Sequence, residues 1–291
     1  AVEKRGTHMR ISYLGPQGTF TEEALQRYCA IHGIEGKRQP ISTIDGAIEA
    51  CMLDEADVAF VPVENSLGGS VLTTMDYLTE HDDVAICGEI TMPIRHYAWG
   101  IPGSELAGIR QVYSHPQALR QCKRFLTDRL AQADCHETAS TSEAGRWVAD
   151  KGDTAMAAIG GLALGQTYGL KRLTDEIQDN TLNVTRFIMV RHGAASLTKP
   201  EGEVHKLSLL CELDGLRPGS LYEGLAIFAK RGINLVRIES RPTKGRLGEY
   251  KFFFDLDMST GYDNVSAAVE ELRQTATAVQ LFGMYQSIAV E

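Results

Sequence analysis

From residue 10 onward short apolar strands alternate with amphipathic helices, a rhythm that confines most of the chain to α/β architectures. Four of those strands run into a short polar loop rather than a plain turn. The loops are Gly15-Pro16-Gln17-Gly18-Thr19-Phe20-Thr21, Glu64-Asn65-Ser66, Ser114-His115-Pro116-Gln117 and Thr185-Arg186-Phe187. Each supplies uncharged hydrogen-bond donors, several at an expected helix N-terminus, where backbone N–H groups favour anions. The set holds no grouped metal ligands, no nucleophilic Cys/His pairing and no phosphate-binding lysine loop. The expected site therefore binds a small polyanion and assists bond breaking without a cofactor or metal.

A strand is expected over residues 10–14, and Thr19-Phe20-Thr21-Glu22 fits a capping box opening a helix through residue 30. Ser42 with Asp45 starts a second helix before a strand at 58–61. One long strand is expected over 85–99, then 111–113 leading into a helix with the S-x-x-Q capping pattern and proline in its first turn. Ser140-Thr141-Ser142-Glu143 repeats that logic before strands at 155–159 and 184–190. This order predicts two α/β lobes, one of about 9–87 with 180–192 and the other of about 88–179. All four polar loops would face the cleft between them. Residues 197–203 read as a linker. Beyond it the elements are 205–213 strand, 220–231 helix, 233–240 strand, 250–257 strand, 264–275 helix and 280–288 strand. That βαββαβ order describes a small ferredoxin-like domain over 204–291. The strand at 250–257 lacks clean alternation, so its inward face is left open.

A net charge of -9 argues against a general nucleic-acid surface. The six cysteines have no C-x-x-C spacing and sit in apolar patterns, as in a reducing cytosol. No apolar run reaches the length of a membrane span, and no signal-peptide core precedes residue 9. Residues 1–8 read as an expression-tag remnant ahead of a catalytic region at 9–196. A cytoplasmic location is the expectation, with no membrane and no nucleic-acid partner.

Each motif has a plain alternative. The first loop is either a ligand loop, with Thr19 and Thr21 adding hydroxyls beside a helix start, or an ordinary turn with a capping threonine. In the second, Asn65 can donate to a carboxylate, and Glu64 can accept from a substrate hydroxyl or donate to it, or Ser66 simply caps a helix. Ser114 can cap the third loop's helix, while Gln117 and Gln121 lie four apart on one helical face and can line a pocket. His115 lacks an identified partner. Strand alternation sets Thr185 and Phe187 on one face and Arg186 on the other, where it can salt-bridge between lobes. In the C-terminal part, Arg217-Pro218-Gly219-Ser220-Leu221 begins a helix and Ile238-Glu239-Ser240-Arg241-Pro242 ends a strand; each is a docking place or an ordinary turn.

With these residues assembled, the chain resembles the prephenate dehydratase family, whose signatures the four loops match in order, with Thr185-Arg186-Phe187 the catalytic one. The C-terminal part resembles an ACT domain, with Glu239-Ser240-Arg241-Pro242 matching its phenylalanine-binding motif and Ser220 standing where alanine is more common. The resemblance implies a two-lobed, periplasmic-binding-protein-like catalytic domain followed by an ACT domain. It implies conversion of prephenate to phenylpyruvate, carbon dioxide and water in phenylalanine synthesis, with feedback inhibition by L-phenylalanine. By the same resemblance Thr185 donates to the leaving hydroxyl; because an alcohol is a weak acid, it is expected to be polarised by a neighbour or to relay a proton, with Glu64 the suggested source. Asn65, Ser114 and Gln121 position substrate, alongside Thr19, Ser66 and Arg186 from the same loops, and Phe187 shields the ring. Gly219, Ser220 and Leu221 with Glu239, Ser240 and Arg241 would hold the effector where two ACT domains meet, in a homodimer or homotetramer. The alternatives are an arogenate dehydratase and a non-catalytic anion sensor. A fused mutase half is not expected.

Overall fold

The computed structural model describes residues 9–215, 217–243 and 249–291, so the tag-like residues 1–8 lie outside the described residues. Three sheets carry the fold. The first runs Ser287–Ala289, Val84–Pro93, Val184–His192, Val58–Asn65, Met9–Leu14, Gly36–Ile41, with Gly69–Ser70 antiparallel on Val58–Asn65. Met9–Leu14 pairs in parallel with both of its neighbours. Parallel pairing requires a crossover, which the helices Phe20–His32 and Ile44–Met52 supply. The second sheet runs Lys171–Arg172, Tyr97–Gly100, Met156–Gly160, Gln111–Ser114, Asp134–Glu137. The third, antiparallel throughout, runs Leu235–Pro242, Tyr250–Asp257, Lys206–Glu212, Ala278–Tyr285. Helices Ser220–Lys230 and Tyr262–Thr275 complete the expected βαββαβ order. None of the described helices is long and apolar enough to cross a membrane.

The described chain forms two compact units. One gathers Met75–Glu89 and Ile188–Ile288; the other gathers the described residues through Thr74, Ile90–Phe187 and Ala289–Glu291. The division passes through three unbroken elements, the helix Leu72–Glu80 and the strands Val84–Pro93 and Val184–His192.

Several local expectations change. The strand expected over 85–99 is two strands in different sheets, Val84–Pro93 and Tyr97–Gly100. Pro93 has no N–H to continue a ladder, and Ile94 instead donates its N–H to the Asn183 carbonyl at 2.8 Å. The second helix is capped by Thr43, whose hydroxyl accepts the Gly46 N–H at 3.1 Å, not by Ser42. The last strand ends at Tyr285, and Ser287–Ala289 joins the first sheet. The unpatterned strand Tyr250–Asp257 is covered on both faces. Phe254 and Leu256 enter the core beneath the two helices, while Phe253 stacks on Phe282 with centroids 5.5 Å apart. On that second face the Gln280 amide donates to the His81 carbonyl at 2.8 Å. Burial on both sides erases alternation.

Candidate functional site

Within the unit that holds the second sheet and most of the first, polar loops converge on a cavity of about 320 Å³. Three helices begin at its wall, Phe20–His32, Pro116–Gln121 and Thr141–Lys151. None of its lining residues among those described is Asp, Glu, Lys or Arg. The volume suits a small molecule, and the neutral wall leaves anion attraction to dipoles and directed donors.

Each loop is shaped by its own hydrogen bonds. Gly18 takes a φ of +81°, a conformation other residues resist, and its N–H donates to the Glu22 carboxylate at 2.6 Å. Thr19 accepts the Glu22 N–H at 3.4 Å, so the expected capping box closes one residue early, on Gly18 rather than on Thr19. His115, not Ser114, caps the third-loop helix, its Nδ1 accepting the Gln117 N–H at 3.2 Å. Ser114 is fully buried and donates to the Ile159 carbonyl at 2.7 Å, because it ends the strand Gln111–Ser114 and faces the neighbouring one. Ser140 accepts the Glu143 N–H at 3.0 Å, as its motif predicts.

Asn65 and Thr185 come together from adjacent strands. The Asn65 amide donates to Thr185 Oγ at 2.8 Å and to Asn183 Oδ1 at 2.8 Å. The Thr185 side chain is buried, and Phe187, two residues along the same face, stacks on Phe60 at 5.7 Å. Gln121 Oε1 lies 2.9 Å from His96 Nε2 and accepts from Asn183 Nδ2 at 3.3 Å. The His96 ring meets Phe20 edge-on at 5.1 Å. Burial pushes its imidazole below the ordinary value, and the Gln121 hydrogen bond offsets part of that shift.

The structure thus brings Thr19, Asn65, Gln121, Thr185 and Phe187 to the cavity, and leaves Glu64, Ser66, Ser114 and Arg186 off its wall. Glu64 and Arg186 pair with each other at 3.4 Å, on the sheet face opposite Asn65 and Thr185. The inter-lobe salt bridge open to Arg186 is therefore a pair between neighbouring strands. Ser66 caps no helix; it follows the strand Val58–Asn65, donates to the Leu182 carbonyl at 3.2 Å and accepts the Val184 N–H at 3.0 Å. Sequence reasoning passed over Asn183, His96 and Thr141. Asn183 carried a readable signal, since it stands two residues before Thr185. His96, a lone histidine in an apolar run, carried none.

The C-terminal candidates lie in the other unit. Gly219 opens the helix Ser220–Lys230 with a φ of +87°, Ser220 donates to the Asp214 carbonyl at 2.9 Å, and Leu221 packs on the core. Glu239, Ser240 and Arg241 do not form a turn; they continue the edge strand Leu235–Pro242 through pairing with Phe253, Phe252 and Lys251. Glu239 pairs with Arg237, and Arg241 with Asp76 on the helix Leu72–Glu80. Ser240 is exposed.

Residues 11–195 match the prephenate dehydratase family model, and residues 217–274 match the ACT domain. The chain is 34% identical to a prephenate dehydratase of Methanocaldococcus jannaschii, over 94% of this chain and 97% of that relative. It is 33% identical to arogenate dehydratase 2 of Petunia hybrida, over 97% of this chain and 73% of that one. Among solved structures it is similar to a prephenate dehydratase from Arthrobacter aurescens in complex with L-Phe, at 35% identity and a TM-score of 0.82, covering 95% of this chain and 89% of that one.

Proposed function

Because the chain belongs to the prephenate dehydratase family, we propose that the neutral cavity beside Thr185 is where its reaction takes place. The protein is a lyase that converts prephenate to phenylpyruvate, carbon dioxide and water, a step of phenylalanine synthesis, and L-phenylalanine regulates it. Prephenate carries two carboxylates and a ring hydroxyl, and its ring becomes aromatic as one carboxylate and the hydroxyl leave. Much of the driving force is already in the substrate. The protein has to hold both carboxylates, keep water from the departing one and hydrogen-bond the departing oxygen.

One observation carries the assignment of Thr185. Its oxygen accepts the Asn65 N–H at 2.8 Å and has no other hydrogen-bond partner among the described residues, so its own proton is free to face the cavity. Thr185 is thereby a donor to the leaving hydroxyl, and the Asn65 N–H on its oxygen strengthens that donation. Gln121 and Thr19 hold the carboxylates together with the helix N-termini, and Phe187 keeps water from the ring. Glu64, paired with Arg186 off the cavity wall, is a poor proton source; water that enters with substrate serves better.

For the effector we propose the region of Gly219–Leu221 and Glu239–Arg241 at a junction of two chains. The edge strand Leu235–Pro242 leaves Val236 43% and Ile238 52% exposed, an apolar margin suited to a second copy of this chain. A homo-oligomer, dimer or tetramer, in the cytoplasm fits this reading, as do six cysteines outside any disulfide. The catalytic domain at 9–196, the linker at 197–203 and the regulatory domain at 204–291 complete it.

A second reading, arogenate as substrate, is favoured by the petunia relative, since the two substrates differ only where a keto group is replaced by an amino group. Phenylpyruvate formation from prephenate, followed with and without L-phenylalanine, tests the proposal. Turnover that phenylalanine suppresses supports both assignments. Turnover of arogenate alone moves the substrate to the second reading, and no turnover of either leaves an anion-binding protein.

A further inference from the structure

The direction of every hydrogen bond along one wall of the cavity is set by a single backbone turn. Asn65 Oδ1 accepts the N–H of Leu67 at 3.0 Å and of Gly68 at 2.9 Å. Backbone N–H groups cannot reverse, so Asn65 must turn its NH2 toward Asn183 Oδ1 and Thr185 Oγ. The oxygen of Asn183 is then committed, and its NH2 faces Gln121 Oε1. Gln121 Oε1 is an acceptor there, so the His96 nitrogen 2.9 Å away must be an N–H. The other ring nitrogen, Nδ1, is buried with no hydrogen-bond partner among the described residues. A proton on it would be a buried donor without an acceptor, which fixes His96 as the neutral Nε2–H tautomer.

With its oxygen held from two sides, Gln121 has only its NH2 left for the cavity it lines. We infer that Asn183 is a positioning residue: it passes the polarity of the Leu67–Gly68 turn to Gln121, so that Gln121 offers a substrate carboxylate an N–H donor instead of a repelling oxygen. The substrate in this inference is that of the dehydratase reading, on which it rests. Asn183 is built for the task. It is 2% exposed, and its own carbonyl is held by the Ile94 N–H at 2.8 Å, so the side chain starts from a fixed backbone. Thr185, held by the same Asn65 amide, follows two residues along the chain.

The test is Asn183→Asp, which keeps size and the acceptor facing Asn65 but replaces the donor facing Gln121 by an oxygen. Gln121 then turns its NH2 toward the new carboxylate and its oxygen toward the cavity, and the His96 ring moves its proton from Nε2 to Nδ1 so as to accept from that NH2. The expected result is a KM for prephenate at least tenfold above the wild type, with kcat lowered less than threefold and an unchanged circular dichroism spectrum. On a Gln121→Met background the same substitution should change KM less than twofold, because the residue through which it acts is gone. A wild-type KM in Asn183→Asp, or an equal rise in both backgrounds, overturns the inference.

A measurement that needs no turnover is nitrogen NMR of the histidine rings, with the His96 signals assigned by their loss in His96→Gln. Two well-separated ring nitrogens with the proton on Nε2 are expected; a proton on Nδ1, or on both, overturns the proposed polarity. If the wild type leaves prephenate unchanged, the dehydratase reading fails by itself, and the NMR result still decides the polarity.

Discussion

The cavity and the C-terminal sheet use polar residues in opposite ways. Among the described residues the cavity wall carries no Asp, Glu, Lys or Arg, and its amides and hydroxyls hold one another in fixed directions. Around the four-stranded sheet several polar contacts are ion pairs: Arg237 with Glu239, Arg241 with Asp76, and Lys206 with a fully buried Glu89. Neutral donors held in place lose little on meeting an anion, because they need not reorganise. One region holds its polar groups by directed neutral hydrogen bonds and the other largely by charge.

The most damaging way to break the first half of that contrast is Thr185→Val, which keeps shape and removes the donor. It should lower kcat by about 10³-fold with little change in the melting temperature, as phenylpyruvate assays and calorimetry would reveal. Asn65→Asp comes next. A carboxylate cannot donate to Thr185 and meets the Leu67 and Gly68 N–H groups at least as well as the amide does, so the fold should survive while kcat falls about 10²-fold.

Acid sharpens the contrast through His96. Its folded pKa is depressed by burial, so the unfolded chain takes up a proton near pH 6.5 while the folded chain resists it. The contribution is intact above about pH 6.5 and lost as pH falls from there toward the depressed folded value, by roughly 1.4 kcal/mol per pH unit. Urea unfolding at pH 7 and pH 5.5 should reveal a larger acid loss of stability in the wild type than in His96→Gln. The smallest effect expected is at the ion pairs. Asp76 is about half exposed, so Asp76→Asn should cost less than about 1 kcal/mol of stability. It should nevertheless shift the phenylalanine inhibition curve by roughly two- to fivefold, since 0.4–1 kcal/mol corresponds to about that factor. An unshifted curve would remove the Asp76–Arg241 pair from the regulatory route.

How much of this was legible in the sequence depended on whether burial left a pattern. The α/β class and the βαββαβ order were readable because half-buried strands and helices alternate in hydrophobicity. Gly36–Ile41 and Asp134–Glu137 escaped, since both sit at sheet edges and the second is exposed at every position. In the site, Asn65 and Thr185 were found because polar residues at the ends of buried strands stand out, and Gln121 because it lies four residues from Gln117 on one helical face. Glu64 and Arg186 stand out equally in sequence, and only strand alternation in three dimensions separates them from the cavity. The choice of His115 over Ser114 as cap turned on where the strand Gln111–Ser114 stops, one residue later than the capping pattern suggested.

The helix Leu72–Glu80 and the strands Val84–Pro93 and Val184–His192 pass without interruption from one compact unit into the other. Residues 197–203 look like a place to cut, yet Met75–Glu89 belongs to the same unit as the ACT-like sheet. A chain ending at 196 would lose the strand Ser287–Ala289, the acceptor for the Glu89 N–H at Gln286 and the lysine that neutralises the buried Glu89 carboxylate. A catalytic fragment excised there would begin life with a bare sheet edge and a buried carboxylate that has lost its lysine. Moving the catalytic region into another protein means moving the C-terminal sheet with it.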